Sequence, residues 1–133
     1  MSRRVLAGVV ALLLGGAVAH AHHAIGGVYD SQRQVRIEGV VTAFHFVSPH
    51  PFVEVAVSAS ANQEDWRLEM DNRSELSAAG MDADSLRAGD RVQVSGSAAR
   101  DGSRKLYIRR LERTTDGFLY EQVGASPRVR LRR

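Results

Sequence analysis

From residue 35 onward, apolar side chains recur at every second position. Val35, Ile37, Gly39, Val41 and Ala43 share one face of this run, while Arg36, Glu38 and Thr42 share the other. That is the period of a strand with one buried face. Gly39 predicts a bulge or sharp coil within it, because a residue without Cβ accepts a strongly bent backbone. The alternation blurs at Phe44-His45-Phe46-Val47 and stops at Ser48-Pro49-His50-Pro51, where two prolines withhold ladder donors and force a turn. Period two returns over residues 52–57, with Val53, Val55 and Val57 set against Glu54. It returns again over residues 65–70, with Trp66, Leu68 and Met70 set against Arg67 and Glu69.

The period then changes. Ser74 is placed to cap a short helix over residues 75–79 that Gly80 ends. Residues 82–86 read as a further helical turn. Ala88-Gly89-Asp90 turns into a fourth strand marked by Val92 and Val94, in which Gly96 permits another bend. Asp101-Gly102 is a hairpin signal, and Leu106, Ile108 and Leu111 mark a fifth strand. Three strands, a short helix and two strands follow the order of the OB-fold, a small, partly open Greek-key barrel. The expected fold is all-β: an OB-fold-like five-stranded barrel over residues 22–113, with one short helix between strands 3 and 4. Another five-stranded barrel or an open sheet fits the same order. Residues 114–133 are weakly patterned and are expected to form a basic, partly disordered tail.

The first residues belong to a different pattern. Arg3 and Arg4 precede an apolar stretch over residues 5–18, and Ala19-His20-Ala21 is a small-x-small site. Residues 1–21 therefore read as a secretory signal peptide, which implies a periplasmic protein. The apolar stretch is short and Gly-rich for a bilayer span, which takes about 20 apolar residues, so the processed protein is not expected to be transmembrane. Removing the signal also changes the charge. The chain carries 18 Lys and Arg against 15 Asp and Glu, a net of +3. Two of those basic residues leave with the signal, and Arg128, Arg130, Arg132 and Arg133 crowd the C-terminus. The body between is mildly acidic, with a basic tail that can touch anionic surfaces. Nucleic acid is not an expected partner for such a body in that compartment.

Cysteine is absent, which excludes a lipoprotein anchor, disulfides, thiolate metal sites and Cys nucleophiles. His, carboxylate and the terminal amine are the metal ligands left. Cleavage after Ala21 places His22-His23 at the new N-terminus, where His22 offers both its α-amine and its imidazole to one ion. The amine has a reference pKa near 8, low enough for a metal to displace its proton. Cleavage after Ala19 instead gives His20-Ala21-His22, with a third-position His suited to square-planar Cu(II) or Ni(II).

His45, between two phenylalanines, reads as a packed residue. His50, between two prolines, sits on a stiffened turn where binding residues concentrate. Glu69, on the strand face opposite Trp66, Leu68 and Met70, is placed either to support His50 or to face water. The metal candidates are thus His22, His23, His50 and Glu69. No Gly-x-Ser-x-Gly, His-Glu-x-x-His or phosphate loop occurs, so a binding protein is expected rather than an enzyme. Two readings stand side by side: a module holding a transition metal, copper favoured, and a metal-free adaptor taking a peptide, glycan or partner protein in its barrel groove. A third, a copper redox enzyme, needs His45 or His50 to reach the N-terminal chelate.

Several segments together resemble a known group. His22-His23, Ile37-Glu38-Gly39-Val40-Val41, Ser48-Pro49-His50, Trp66-Arg67-Leu68-Glu69 and the stretch from Leu86 to Val92 occur in the same order in a family of small exported proteobacterial proteins known only as a domain of unknown function. That family typically shows His-His-Ser-Phe after the signal, Asn-Pro-His, a Trp-x-x-Glu strand and a Lys-Pro-Gly-Asp turn. Here Ala24-Ile25 replaces Ser-Phe, Ser48 replaces Asn and Ala88 replaces Pro. The resemblance covers roughly residues 21–113. It implies an exported small β-barrel, and it groups His22, His23, His50 and Glu69 as one candidate cluster.

Overall fold

The computed structural model describes residues 24–131, so residues 1–21, whose sequence reads as a signal peptide, lie outside the described residues, as do His22, His23, Arg132 and Arg133. Residues 24–28 are helical and lead directly into β1 (Tyr29–His45). The chain continues through β2 (Phe52–Ala59), β3 (Asn62–Glu69), α1 (Arg73–Ala78), β4 (Arg91–Ala99), β5 (Lys105–Arg113), β6 (Leu119–Val123) and β7 (Ser126–Arg130).

The first five strands close on themselves. β1 pairs with β2 and with β4, β2 with β3, β4 with β5, all antiparallel; β3 and β5 then seal the ring as a parallel pair through Arg67–Glu69 and Lys105–Tyr107. With α1 between β3 and β4, this is the OB-fold-like barrel that the alternation predicts. Val41, Val53, Val55, Leu68, Val94 and Ile108 fill its interior. Leu76 of α1 is fully buried and packs against that core, giving the short helix its anchor.

The first strand is longer than its apolar pattern. Pairing begins at Tyr29, within the polar lead-in, because one strand serves two partners: its early residues register with β4 and its late ones with β2. The register shifts between Asp30 and Gln34 and again between Val41 and Ala43, so the second irregularity falls just after Gly39 rather than on it. Gly39 is needed for another reason. A Cβ there would run into the Ala56 carbonyl and Val55 of the neighbouring strand. At Gly96 the predicted bend does coincide with a register shift, between Ser95 and Gly96.

Two local expectations change. The helix cap is Asn72, not Ser74: Asn72 is extended (φ −62°, ψ 147°) and its side chain accepts from the Glu75 amide at 2.9 Å. Ser74 instead donates to Asn72 Oδ1 at 2.6 Å. Residues 82–86 form turns rather than a helical segment.

The larger difference is at the C-terminus. Where the pattern predicts a tail, β6 pairs with β5 and β7 with β6, extending the β1–β4–β5 side of the barrel into a wider sheet. Phe118, Leu119 and Tyr120 are all buried. Three consecutive buried residues erase the alternation by which a half-exposed strand is recognised.

Candidate functional site

His50 projects from a turn fixed on both sides. The Ser48–Pro49 bond is cis. The Pro49 carbonyl accepts from the Arg73 amide at 3.0 Å, and the Pro51 carbonyl accepts from the Met70 amide at 2.9 Å. The β1–β2 turn is therefore tied to the end of β3 and to the start of α1. His50 is half-buried there, and its Nδ1 is buried without a hydrogen-bond partner. A buried polar nitrogen left unpaired costs on the order of 1–3 kcal/mol, so a donor or an ion completing it would stabilise the site.

His50 faces a cavity of about 220 Å³ on the outer wall of the barrel. Tyr107, Ser97 and Arg109 of β5 and β4 line one side, and Asp71, Asn72 and Glu75 at the β3–α1 junction line another. Ile25, Gly26 and Tyr29 enter from the N-terminal side, while Gln122, Gly124 and Ala125 come from the β6–β7 hairpin. The hairpin thus builds part of the candidate site.

The walls are held by a polar network. Gln122 Nε2 donates to Asp71 Oδ2 at 2.6 Å, and the Asn72 amide donates to Asp71 Oδ1 at 2.7 Å. The Tyr120 hydroxyl donates to Gln122 Oε1 at 2.9 Å. Tyr29 and Tyr107 pack as a tilted pair with ring centroids 5.9 Å apart and planes at 38°, and the Arg109 guanidinium lies 5.2 Å from the Tyr107 centroid. Burial pushes the phenols of Tyr29, Tyr107 and Tyr120 well above their ordinary range; at Tyr29 the hydrogen bond to Glu69 adds to it. All three remain protonated donors at neutral pH.

Glu69 is half-buried and accepts the Tyr29 hydroxyl at 2.7 Å. Glu69 does not line the cavity, but Tyr29 does, so Glu69 reaches the cavity wall only through that phenol. Among the described residues, no three His, Asp or Glu side chains gather closely enough to hold a metal. His22 and His23, the remaining members of the predicted cluster, lie outside the described residues; Ile25, two positions after His23, is part of the cavity wall. Sequence patterning missed Tyr29, Asp71, Tyr107 and Gln122. Of these, only the position of Asp71 just past an apolar strand offered a signal.

His45 is packed, its ring stacked on Phe52 at 4.3 Å and 17°. The Arg67 guanidinium also lies over the Phe52 ring, 3.6 Å from its centroid. Phe52 sits beside a groove of about 590 Å³ on the face of β1–β3, bounded by Thr42, Glu54, Trp66, Arg67, Arg104 and Lys105. A ring with a stacked imidazole and a guanidinium on it is closed to bases or sugars. The groove's charge is mixed as well, with Arg104 paired to Glu64 at 3.3 Å.

A family model of unknown function, DUF6152, matches residues 10–107. The chain belongs to DUF6152. The matched segment contains His22, His23, His50 and Glu69 and ends before the hairpin that closes the cavity. No curated protein matches this DUF6152 chain. Among solved structures, a ZRD-deleted mutant of TiaS in complex with agmatine is similar at a TM-score of 0.50 and 18% identity, over 69% of this chain and 26% of that one. The mitochondrial single-stranded DNA binding protein Rim1 from S. cerevisiae is similar at a TM-score of 0.46 and 17% identity, over 64% of this chain and 97% of that one. The DUF6152 chain therefore spans about a quarter of the TiaS chain, and the likeness concerns the fold. No helix among the described residues is long and apolar enough to cross a membrane.

Proposed function

We propose that this DUF6152 chain is an exported, periplasmic OB-like module that binds a divalent transition metal, copper in first place, and acts by holding the ion rather than by turning over a substrate. The observation that carries this reading is His50, whose Nδ1 is buried and unpartnered and which lines a cavity that Ile25 and Gly26 also line. Ile25 follows His22 by three positions, so a terminus beginning at His22 is tethered close in sequence to a residue of the cavity wall. Its amine and imidazole supply one chelate, and His50 supplies a third nitrogen from the rigid turn. Three nitrogen donors suit copper, nickel or zinc, with copper the tightest in the divalent series. Glu69 acts from behind, holding Tyr29 in place. The alternative, a metal-free adaptor, draws on the 590 Å³ groove. Trp66 gives that groove an aromatic wall, but its charge is mixed, with Arg104 held by Glu64.

Mass spectrometry of the exported protein is expected to give His22 as the first residue. Calorimetric Cu(II) titration of that protein is then expected to show one site. His22→Ala/His23→Ala and His50→Ala should each weaken it by about tenfold or more. Equal binding by all three forms would remove the metal reading and leave the adaptor.

A further inference from the structure

Arg128 and Arg130 form part of a folded edge, which gives them a use separate from the cavity. β7 is the outermost strand of the sheet and pairs only with β6. Arg128 and Arg130 alternate along it, both exposed, while Val129 between them packs toward the core. Neither arginine takes part in an ion pair among the described residues. The acid nearest in register, Glu121, faces Arg128 across the strands but is already bound by Arg110, which also holds Glu112 at 3.0 Å. Their charge is therefore uncompensated. Arg132 and Arg133 follow in sequence, and Leu131 between the two pairs is 53% exposed. Val123, at the hairpin turn, is 44% exposed. Elsewhere the body carries more acidic than basic side chains, so this edge presents concentrated positive charge to an anionic surface.

We propose that the β7 edge, through Arg128 and Arg130, docks the protein on an anionic phospholipid surface. Lipid is favoured over acidic polysaccharide because the exposed residues among the arginines are aliphatic. An aliphatic side chain gains by entering the headgroup layer, whereas sugars are gripped by open aromatic rings and amide side chains. The acidic body is repelled from the same surface, so docking through one edge also fixes orientation. Each arginine near an anionic bilayer is worth roughly a fivefold factor in partitioning, and screening by salt weakens it.

The test is co-sedimentation of the chain from His22 onward, which contains every residue of the described fold, with phosphatidylglycerol–phosphatidylcholine vesicles and with pure phosphatidylcholine vesicles. Binding to the first and not the second is expected, lost in molar salt. Arg128→Gln/Arg130→Gln should weaken it about 30-fold with an unchanged unfolding midpoint, and Leu131→Ser should weaken it further. Binding to the anionic vesicles that is absent, or indifferent to the arginine changes, overturns the proposal. So does tighter binding to dextran sulfate that Leu131→Ser leaves unaltered, which would assign the edge to a polysaccharide.

Discussion

Arg113 fastens three segments at one point. Its Nε and Nη2 donate to the two Asp116 oxygens at 2.9 and 2.7 Å, and its Nη1 donates to Asp90 at 3.0 Å and to the Ser85 carbonyl at 2.9 Å. The guanidinium lies 5.0 Å from the Phe118 ring centroid. Only a planar fork satisfies this set, so Arg113→Lys is expected to cost about 1–3 kcal/mol in denaturant unfolding. The hydrogen bond from Arg113, helped by the Phe118 amide, lowers the Asp116 carboxyl from 3.8 to about 2. A carboxyl held lower in the folded state adds stability above its unfolded pKa, and that stability disappears as pH falls through the folded one. Asp116→Asn should therefore be less stable than the parent at neutral pH, and the gap should close between about pH 4 and 2. Unfolding midpoints across that range check the sign. At this scale the sequence was partly legible. His50 stands out because two prolines flank it, and Glu69 because it lies on the polar face opposite Trp66, Leu68 and Met70. Tyr29 and Gln122 do not stand out, since each lies in a polar or weakly patterned segment and gains its role only from residues far along the chain.

The strands were the most legible elements, because a barrel wall with one buried face must alternate. Legibility failed where one of two conditions broke that rule. β1 outruns its apolar pattern because its first residues pair with β4 while offering little to the core. β6 hides because Phe118, Leu119 and Tyr120 are buried on both faces. Glycines mark close approach more reliably than bulges. A Cβ at Gly96 would press into the Tyr107 carbonyl and the Ile108 backbone, so Gly96→Ala is expected to destabilise by about 1–3 kcal/mol. It should also disturb Tyr107 in the cavity wall, visible as a shifted near-ultraviolet circular dichroism signal. Asn72→Ala removes the acceptor that caps α1 and should cost about 1 kcal/mol.

As a whole molecule, the barrel depends on its C-terminal hairpin. Phe118 and Tyr120 are fully buried in the main core, and truncating one large buried aromatic side chain costs about 3–5 kcal/mol. Against a total stability of about 5–15 kcal/mol, a chain ending at Arg113 is expected to lose cooperative thermal unfolding. It would also lose Gln122, Gly124 and Ala125 from the cavity. The hairpin thus belongs to the fold and to the site, and its outer edge carries Arg128 and Arg130, which the sequence presented as part of a tail.

The central claim is that processing completes a nitrogen-donor site beside His50. Cu(II) titration followed by electron paramagnetic resonance tests it on three chains: one beginning at His22, the same chain acetylated at its terminal amine, and His50→Ala beginning at His22. Acetylation turns the His22 amine into an amide nitrogen and leaves every side chain in place. The first chain should bind most tightly, and the other two should each be weaker by about tenfold or more, with altered copper hyperfine splitting. Equal affinities and identical spectra from all three would contradict the account.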